Sequence, residues 1–135
     1  MYEYDCTIRR VVDGDTIDVD VDLGFGTWRC NERIRLFGVD TPECRTRDAK
    51  EKAAGLLAKK FVGHALHVGG TYKLQTREKG KFGRFLGVIF ISARTSINAT
   101  LVSERLAVAY HGQSKQDVKD AHAANYEFLK EKGRI

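Results

Sequence analysis

The chain has 135 residues, of which 42% are hydrophobic and 30% charged, and its 23 Lys and Arg residues outnumber its 18 Asp and Glu residues for a formal net charge of +5. Charged residues interrupt the apolar ones from end to end, and no apolar run approaches the ~20 residues of a membrane-spanning helix. This excludes a transmembrane protein and argues against disorder. We expect one domain, residues 1–135, whose core needs neither a metal nor a disulfide.

The N-terminus and the cysteines indicate the compartment. Residues 1–5 lack the basic and apolar regions of a secretion signal, so a cytoplasmic protein is the default expectation. Cys6, Cys30 and Cys44 cannot all pair within one chain, and they lack the paired spacing of a zinc site. We expect reduced thiols, with Cys44 at the surface. The excess of basic residues indicates an anionic partner only in combination with a binding site for one.

The first third of the sequence predicts strands. Residues 17–23 alternate between apolar residues and aspartates, which predicts a half-buried strand with the apolar residues Ile17, Val19, Val21 and Leu23 on its inner face. Residues 6–12 predict a second strand, joined to the first by a tight Asp-Gly turn. Residues 27–39 predict a third, in which Gly38 allows a bulge.

Helices and two more strands follow. Ala53, Leu57 and Phe61 recur at helical spacing within residues 47–64, which predicts an amphipathic helix. Residues 71–76 and 85–91 predict strands on either side of a basic loop, and Ser96 and Ser114 can each cap a later helix. These elements predict a mainly β fold with α: a five-stranded barrel of the oligonucleotide/oligosaccharide-binding (OB-fold) type with three helices outside it.

Three polar patches are candidates for chemistry, although each has an ordinary explanation. Asp13 and Asp15 flank a glycine and can face a hard cation, but Asp-Gly is also a favoured hairpin turn. Residues 35–43 place an arginine and two carboxylates beside the only proline, which stiffens the segment; a simple ion pair at a strand end explains them equally well. Residues 81–84 are basic, as solvated loops often are.

Together and in this order, the patches resemble the thermonuclease (staphylococcal nuclease-like) family. The matching segments are VDGDT at 12–16, IRLFGVDTPE at 34–43 and KFGR at 81–84, followed by residues 98–102 and 106–110. The middle segment is quite specific, and the resemblance covers nearly the whole chain. It implies a five-stranded barrel with three helices and a Ca²⁺-dependent phosphodiesterase that acts on DNA and RNA and leaves 3′-phosphate ends.

The resemblance also implies a role for each matching residue. The metal ligands would be Asp15, Asp40 and the backbone carbonyl of Thr41, with Asp13 acting through water. The catalytic residues would be Glu43 as general base and Arg35 and Arg84 as phosphate clamps. The substrate-binding residues would be Lys81, Phe82 and Tyr110. The loop over residues 44–50 is shorter than in secreted members of the family.

These roles agree with what phosphodiester hydrolysis requires: a neutralised phosphate, an activated water in line, and stabilisation of the charge that develops. Arginine binds phosphate with two parallel hydrogen bonds, and Ca²⁺ accepts irregular oxygen ligands. With two carboxylate ligands, the free protein should bind Ca²⁺ weakly, with a Kd of about tens of micromolar to millimolar. Phosphate contacts and base stacking read sequence poorly, so we expect nonspecific cleavage of DNA and RNA with a preference for single strands. We also expect a monomer.

Two other functions stay open. The fold also occurs in modules that have lost catalytic residues and bind RNA or proteins, and a catalytically weak or inactive nucleic-acid-binding module is the main alternative. A purely structural Ca²⁺ site is the third, and it predicts a higher melting temperature with Ca²⁺ but no cleavage. A phage or plasmid origin, or scarce cytoplasmic Ca²⁺, would explain how a cell tolerates an active nuclease.

Overall fold

The computed structural model describes residues 2–79 and 84–135, which contain seven strands and three helices. In chain order the elements are β1 (Glu3–Asp13), β2 (Thr16–Asp22), β3 (Trp28–Leu36), β4 (Val39–Asp40), α1 (Ala49–Ala65), β5 (Thr71–Lys79), β6 (Phe85–Phe90), α2 (Ile97–Ser103), β7 (Val108–Ala109) and α3 (Lys115–Glu131). Within this part of the chain, no helix is both long and apolar enough to cross a membrane.

Five strands close into a barrel in the order β1-β2-β3-β6-β5. Strands β3 and β6 pair in parallel, and every other pair around the barrel is antiparallel. With its three helices, the described chain has an OB-fold-like architecture, which confirms the predicted fold class.

The alternation in β2 is confirmed except at its end. Ile17, Val19 and Val21 are buried in the barrel, whereas the prediction for Leu23 is wrong, because this side chain is exposed. Strand β2 ends one residue earlier, at Asp22, and Gly24 with a φ of 84° then turns the chain. Leu23 is therefore the first residue of a turn, which the Leu23 N–H closes on the Thr27 carbonyl at 2.8 Å.

The predicted third strand divides into two. Strand β3 ends at Leu36, and Gly38 with a φ of 77° makes a turn where the sequence predicted a bulge. The chain then leaves the barrel and forms β4, which pairs with β7 in a separate two-stranded sheet. The buried Asn98 side chain fixes this turn, because its amide donates to the carbonyl oxygens of Phe37 at 2.9 Å and Gly87 at 3.2 Å.

Capping side chains set where the helices begin. Ser96 accepts from the Ala99 N–H and Ser114 from the Asp117 N–H, as predicted. In α1, Asp48 is the cap, so the helix begins at Ala49 rather than at residue 47. The buried face of α1 also differs from the prediction: its buried residues are Ala54, Gly55, Ala58 and Val62. Ala53 is exposed, and Leu57 and Phe61 are only half-buried.

Candidate active site

The turn between β1 and β2 carries the first carboxylate of the site. Gly14 fits there because a Cβ at this position would lie 2.9 Å from the Ala58 Cβ of α1 and 3.0 Å from the Thr41 Cγ2. The turn therefore packs directly on α1 and on the segment after β4. The Asp15 backbone carbonyl accepts from the Leu36 N–H at 2.8 Å, which fixes the turn against the end of β3.

Arg35 joins the two carboxylates predicted to bind metal. Its Nη1 lies 3.3 Å from the Asp15 Oδ2, and its Nη2 lies 3.2 Å from the Asp40 Oδ1. Nη1 also donates to the Val39 carbonyl at 2.9 Å, so the guanidinium spans the turn that follows β3. The Arg35 side chain is only 16% exposed. A partly buried cation between two carboxylates offsets their mutual repulsion and holds them close together.

Thr41 connects the same groups through the backbone. Its N–H donates to the Asp15 Oδ2 at 3.1 Å, and the residue is buried. The Asp15 Oδ1 accepts from the Thr16 hydroxyl at 3.0 Å. The structure thus brings together Asp15, Arg35, Asp40 and Thr41, which are distant in sequence or separated by a turn.

Glu43 lies in the loop that follows β4, two residues after Thr41. Partial burial raises the pKa of its carboxyl, and the negative charges of Asp15, Asp13, Asp40 and Glu51 raise this pKa further, in that order. Surplus negative charge therefore remains at the site although Arg35 contacts two of the carboxylates. A divalent cation would relieve this repulsion.

The oxygen donors fit Ca²⁺ better than a transition metal. Two carboxylates and a backbone carbonyl are hard ligands, and Ca²⁺ completes its 6–8 oxygen ligands with water or phosphate. Across residues 2–79 and 84–135, no three His, Cys, Asp or Glu side chains converge as a preformed metal cage. These protein donors alone are too few to complete the 6–8 oxygen ligands of Ca²⁺.

Cys44 is not a surface thiol, and that prediction is wrong. The residue is 7% exposed. Burial raises the pKa of the Cys44 thiol, and the nearby negative charge of Asp13 raises it further. The described cysteines are all free: Cys6 is buried and Cys30 exposed.

Helix α1 approaches the backbone of the loop after β4 closely at Gly55. A Cβ at this position would lie 2.5 Å from the carbonyl oxygen of Glu43 and 2.7 Å from that of Pro42. Real Cβ atoms do not approach backbone oxygens so closely, so the loop lies where it does because residue 55 has no side chain. No pattern in the sequence predicted this requirement.

Gly55→Ala should destabilise the protein by about 1–3 kcal/mol, because the added methyl must push the backbone at Glu43 away. Gly63→Ala is the matched control on the same helix, since a Cβ there would have open space. That change should stabilise the protein by up to about 1 kcal/mol through helix propensity. Urea unfolding measures both free energies. Equal effects of the two substitutions would show that the loop does not rest on Gly55.

The remaining predicted residues lie around this centre. Tyr110 is 45% exposed, and its N–H donates to the Gly38 carbonyl at 2.8 Å. Arg84 immediately precedes β6, in which Leu86 pairs with Arg35, so the chain enters β6 beside the strand that carries Arg35. The exposed Arg84 side chain has no hydrogen bond or ion pair with the rest of the described chain. Lys81 and Phe82 lie outside the described residues.

A cleft of about 670 Å³ opens from the site toward the helices. It is lined by Asp40, Thr41, Glu43 and Tyr110, and by residues at the start of α1 and along one face of α3.

His122 of α3 is a site residue that the sequence analysis missed. Its Nε2 lies 2.7 Å from the Asp40 Oδ2. The two residues are 82 positions apart, and no spacing rule connects them.

Comparisons with known proteins bear on this arrangement. A family model described as staphylococcal nuclease homologue matches residues 33–134. The chain is 33% identical over 103 residues to "Thermonuclease" of Staphylococcus intermedius, covering 76% of this chain and 57% of that protein. It is 31% identical over 138 residues to "Micrococcal nuclease" of Shigella flexneri, covering 94% and 68%. It is 30% identical over 115 residues to "Endonuclease YhcR" of Bacillus subtilis (strain 168), covering 80% and 9%. The chain thus spans less than two thirds of the first and the last of these relatives.

Proposed function

The chain belongs to the staphylococcal nuclease homologue family, and from its site we propose that it is a Ca²⁺-dependent nuclease that hydrolyses DNA and RNA with little sequence preference. The observation that carries the proposal is the cluster in which Arg35 bridges Asp15 and Asp40 beside a Glu43 of raised pKa. The nuclease names of relatives at 30–33% identity support the same reaction class.

The metal would be held by Asp15, Asp40 and the Thr41 carbonyl, with Asp13 acting through water. Bound Ca²⁺ supplies Lewis-acid stabilisation of the phosphate charge and orients the substrate. The acidic surroundings that raise the pKa of Glu43 are the electrostatic reason for a dication to bind here.

The protein side chains do the rest of the chemistry. Glu43, once ionised, accepts a proton from the water whose oxygen attacks phosphorus. The bond from phosphorus to the 5′ oxygen breaks, that oxygen takes up a proton, and the phosphate stays on the 3′ oxygen. Arg35 and Arg84 neutralise the phosphate, because a guanidinium is cationic and binds phosphate oxygens with two parallel hydrogen bonds.

The substrate-binding residues in this proposal are Tyr110, Lys81 and Phe82. Their contacts with bases and phosphates carry little sequence information, and base stacking requires unpaired bases. Single-stranded DNA and RNA are therefore the preferred substrates. The reaction needs residues of one chain only, in agreement with a monomer.

Cleavage of heat-denatured and duplex DNA, with Ca²⁺ or with EDTA, tests the proposal. We expect fragments only with Ca²⁺, faster from denatured DNA, and slower at higher salt because phosphate contacts release counterions. The fragments should prime a DNA polymerase only after phosphatase treatment, which identifies 3′-phosphate ends. Intact DNA that shifts on a gel would indicate a binding module. A higher melting temperature with Ca²⁺ and no cleavage would indicate a structural metal site.

A further inference from the structure

The contact between His122 and Asp40 ties helix α3 to the candidate metal site. The Asp40 carboxylate is held on both oxygens: Oδ1 lies 3.2 Å from the Arg35 Nη2, and Oδ2 lies 2.7 Å from the His122 Nε2. Both side chains are partly buried, with 19% of His122 and 29% of Asp40 exposed. The short distance in a shielded place indicates a well-formed hydrogen bond.

The imidazole is the donor in this bond. An ionised carboxylate has only acceptors, so Nε2 must carry the proton whether the ring is neutral or charged. The other ring nitrogen, Nδ1, is buried and has no hydrogen-bond partner in the described part of the chain. With Nε2 on Asp40 and Nδ1 enclosed, His122 has no free nitrogen with which to bind a metal or a phosphate itself.

Strand pairing and core packing hold the backbone on the two sides of the pair. Asp40 lies in β4, where it pairs with Val108 of β7, and Leu129 anchors α3 with 1% exposure. The orientation of the imidazole is therefore set by the packing of α3, and the imidazole in turn fixes the orientation of the carboxylate.

We propose that His122 is a positioning residue that holds the Asp40 carboxylate in the orientation needed to bind the divalent cation. The inference rests on the proposed function, since it assumes that Asp40 is a metal ligand. It assigns to α3 a part in metal binding. Partners that orient a metal ligand typically contribute about 10–100-fold to metal affinity or activity.

Two substitutions separate positioning from simple packing. His122→Phe keeps a ring for α3 to pack around but removes the donor, whereas His122→Gln loses the ring but keeps an N–H donor of similar reach. Calorimetry of Ca²⁺ binding to the protein without substrate gives the dissociation constant. We expect His122→Phe to raise this constant at least about tenfold and His122→Gln to restore most of the affinity.

Histidine NMR gives a readout that is independent of activity. The ¹⁵N signals of the His122 ring should move in the Asp40→Asn variant, whereas those of the exposed His64, His67 and His111 should stay in place. His64→Phe, in the last turn of α1, is the matched control and should leave Ca²⁺ affinity unchanged.

The possible results distinguish the inference from the proposed function. If the wild-type protein binds Ca²⁺ and cleaves DNA but His122→Phe has wild-type Ca²⁺ affinity, the inference alone is overturned. A His122→Gln variant weaker than His122→Phe also overturns it, because packing would then be what matters. A wild-type protein that neither binds Ca²⁺ nor cleaves overturns the proposed function as well. If His122→Phe does not fold, His122→Ala carries the same expectation without added bulk.

Discussion

Arg35→Lys should lower the steady-state cleavage rate of denatured DNA by about 10²-fold or more, the scale of losing one preorganised group that stabilises developing charge. The structure gives two reasons. The guanidinium contacts Asp15 and the Val39 carbonyl through Nη1 and Asp40 through Nη2, whereas the one nitrogen of a lysine cannot occupy both positions. Nor can it present two parallel N–H groups to a phosphate.

Arg33→Lys is the matched control for this prediction. Arg33 belongs to the same strand and also pairs with an aspartate, Asp18, at 2.9 Å, but its side chain is 53% exposed. An exposed pair contributes little to stability, so this variant should keep its activity. Melting temperatures of both variants would show whether they are folded. Rates near wild type for a folded Arg35→Lys variant would contradict the role of Arg35.

The sequence was most informative where a local rule applied. Strict alternation predicted the buried face of β2, and serines three residues before a free N–H predicted the starts of α2 and α3. The order of motifs along the chain predicted the family and, with it, the barrel. These features depend on neighbouring residues or on a pattern shared with relatives, both of which a sequence displays.

Errors occurred where tertiary packing decides. Cys44 is small and lies in a polar loop, so nothing local predicts that its thiol is buried against Asp13. On α1, Ala53 and Ala54 are both alanine, but only Ala54 lies on the buried face, next to the Gly55 that packs on the Glu43 backbone. Because the two residues are identical, their type gives no basis for predicting which of them is buried.

In the candidate site, too, the residues of local motifs were predicted and the long-range contacts were not. Motif spacing predicted Asp15, Arg35, Asp40 and Glu43 as candidates, and the structure adds that Arg35 contacts both aspartates. The part played by His122 depends on how α3 docks beside β7, which no spacing in the chain encodes. Long-range contacts of this kind follow from the fold and not from a motif.

Glu43→Gln should lower the cleavage rate by about 10²–10⁴-fold, the usual contribution of a general base, and should also make the protein more stable at neutral pH. The second effect follows from the raised pKa of Glu43. Because the pKa of Glu43 is raised in the folded state, the folded protein binds this proton more tightly than the unfolded chain does. The stability of the wild-type protein therefore falls as the pH rises from about 4.3, the ordinary glutamate pKa, through the raised pKa of the folded state. Glutamine behaves like the protonated acid at every pH.

Urea unfolding in EDTA at pH 7 and at pH 3.5 measures the stability effect. The Glu43→Gln variant should exceed wild type in stability at pH 7, and the difference should vanish at pH 3.5, where both side chains are uncharged. Glu3→Gln removes the same charge from an exposed position on β1, so it corrects for the change in net charge and should alter stability by less than about 0.5 kcal/mol. If cleavage is lost but stability is unchanged, Glu43 is still the base, but the charges of Asp15 and Asp13 do not repel it appreciably. Retained cleavage would require a different base, since the glutamine amide cannot accept the proton from water.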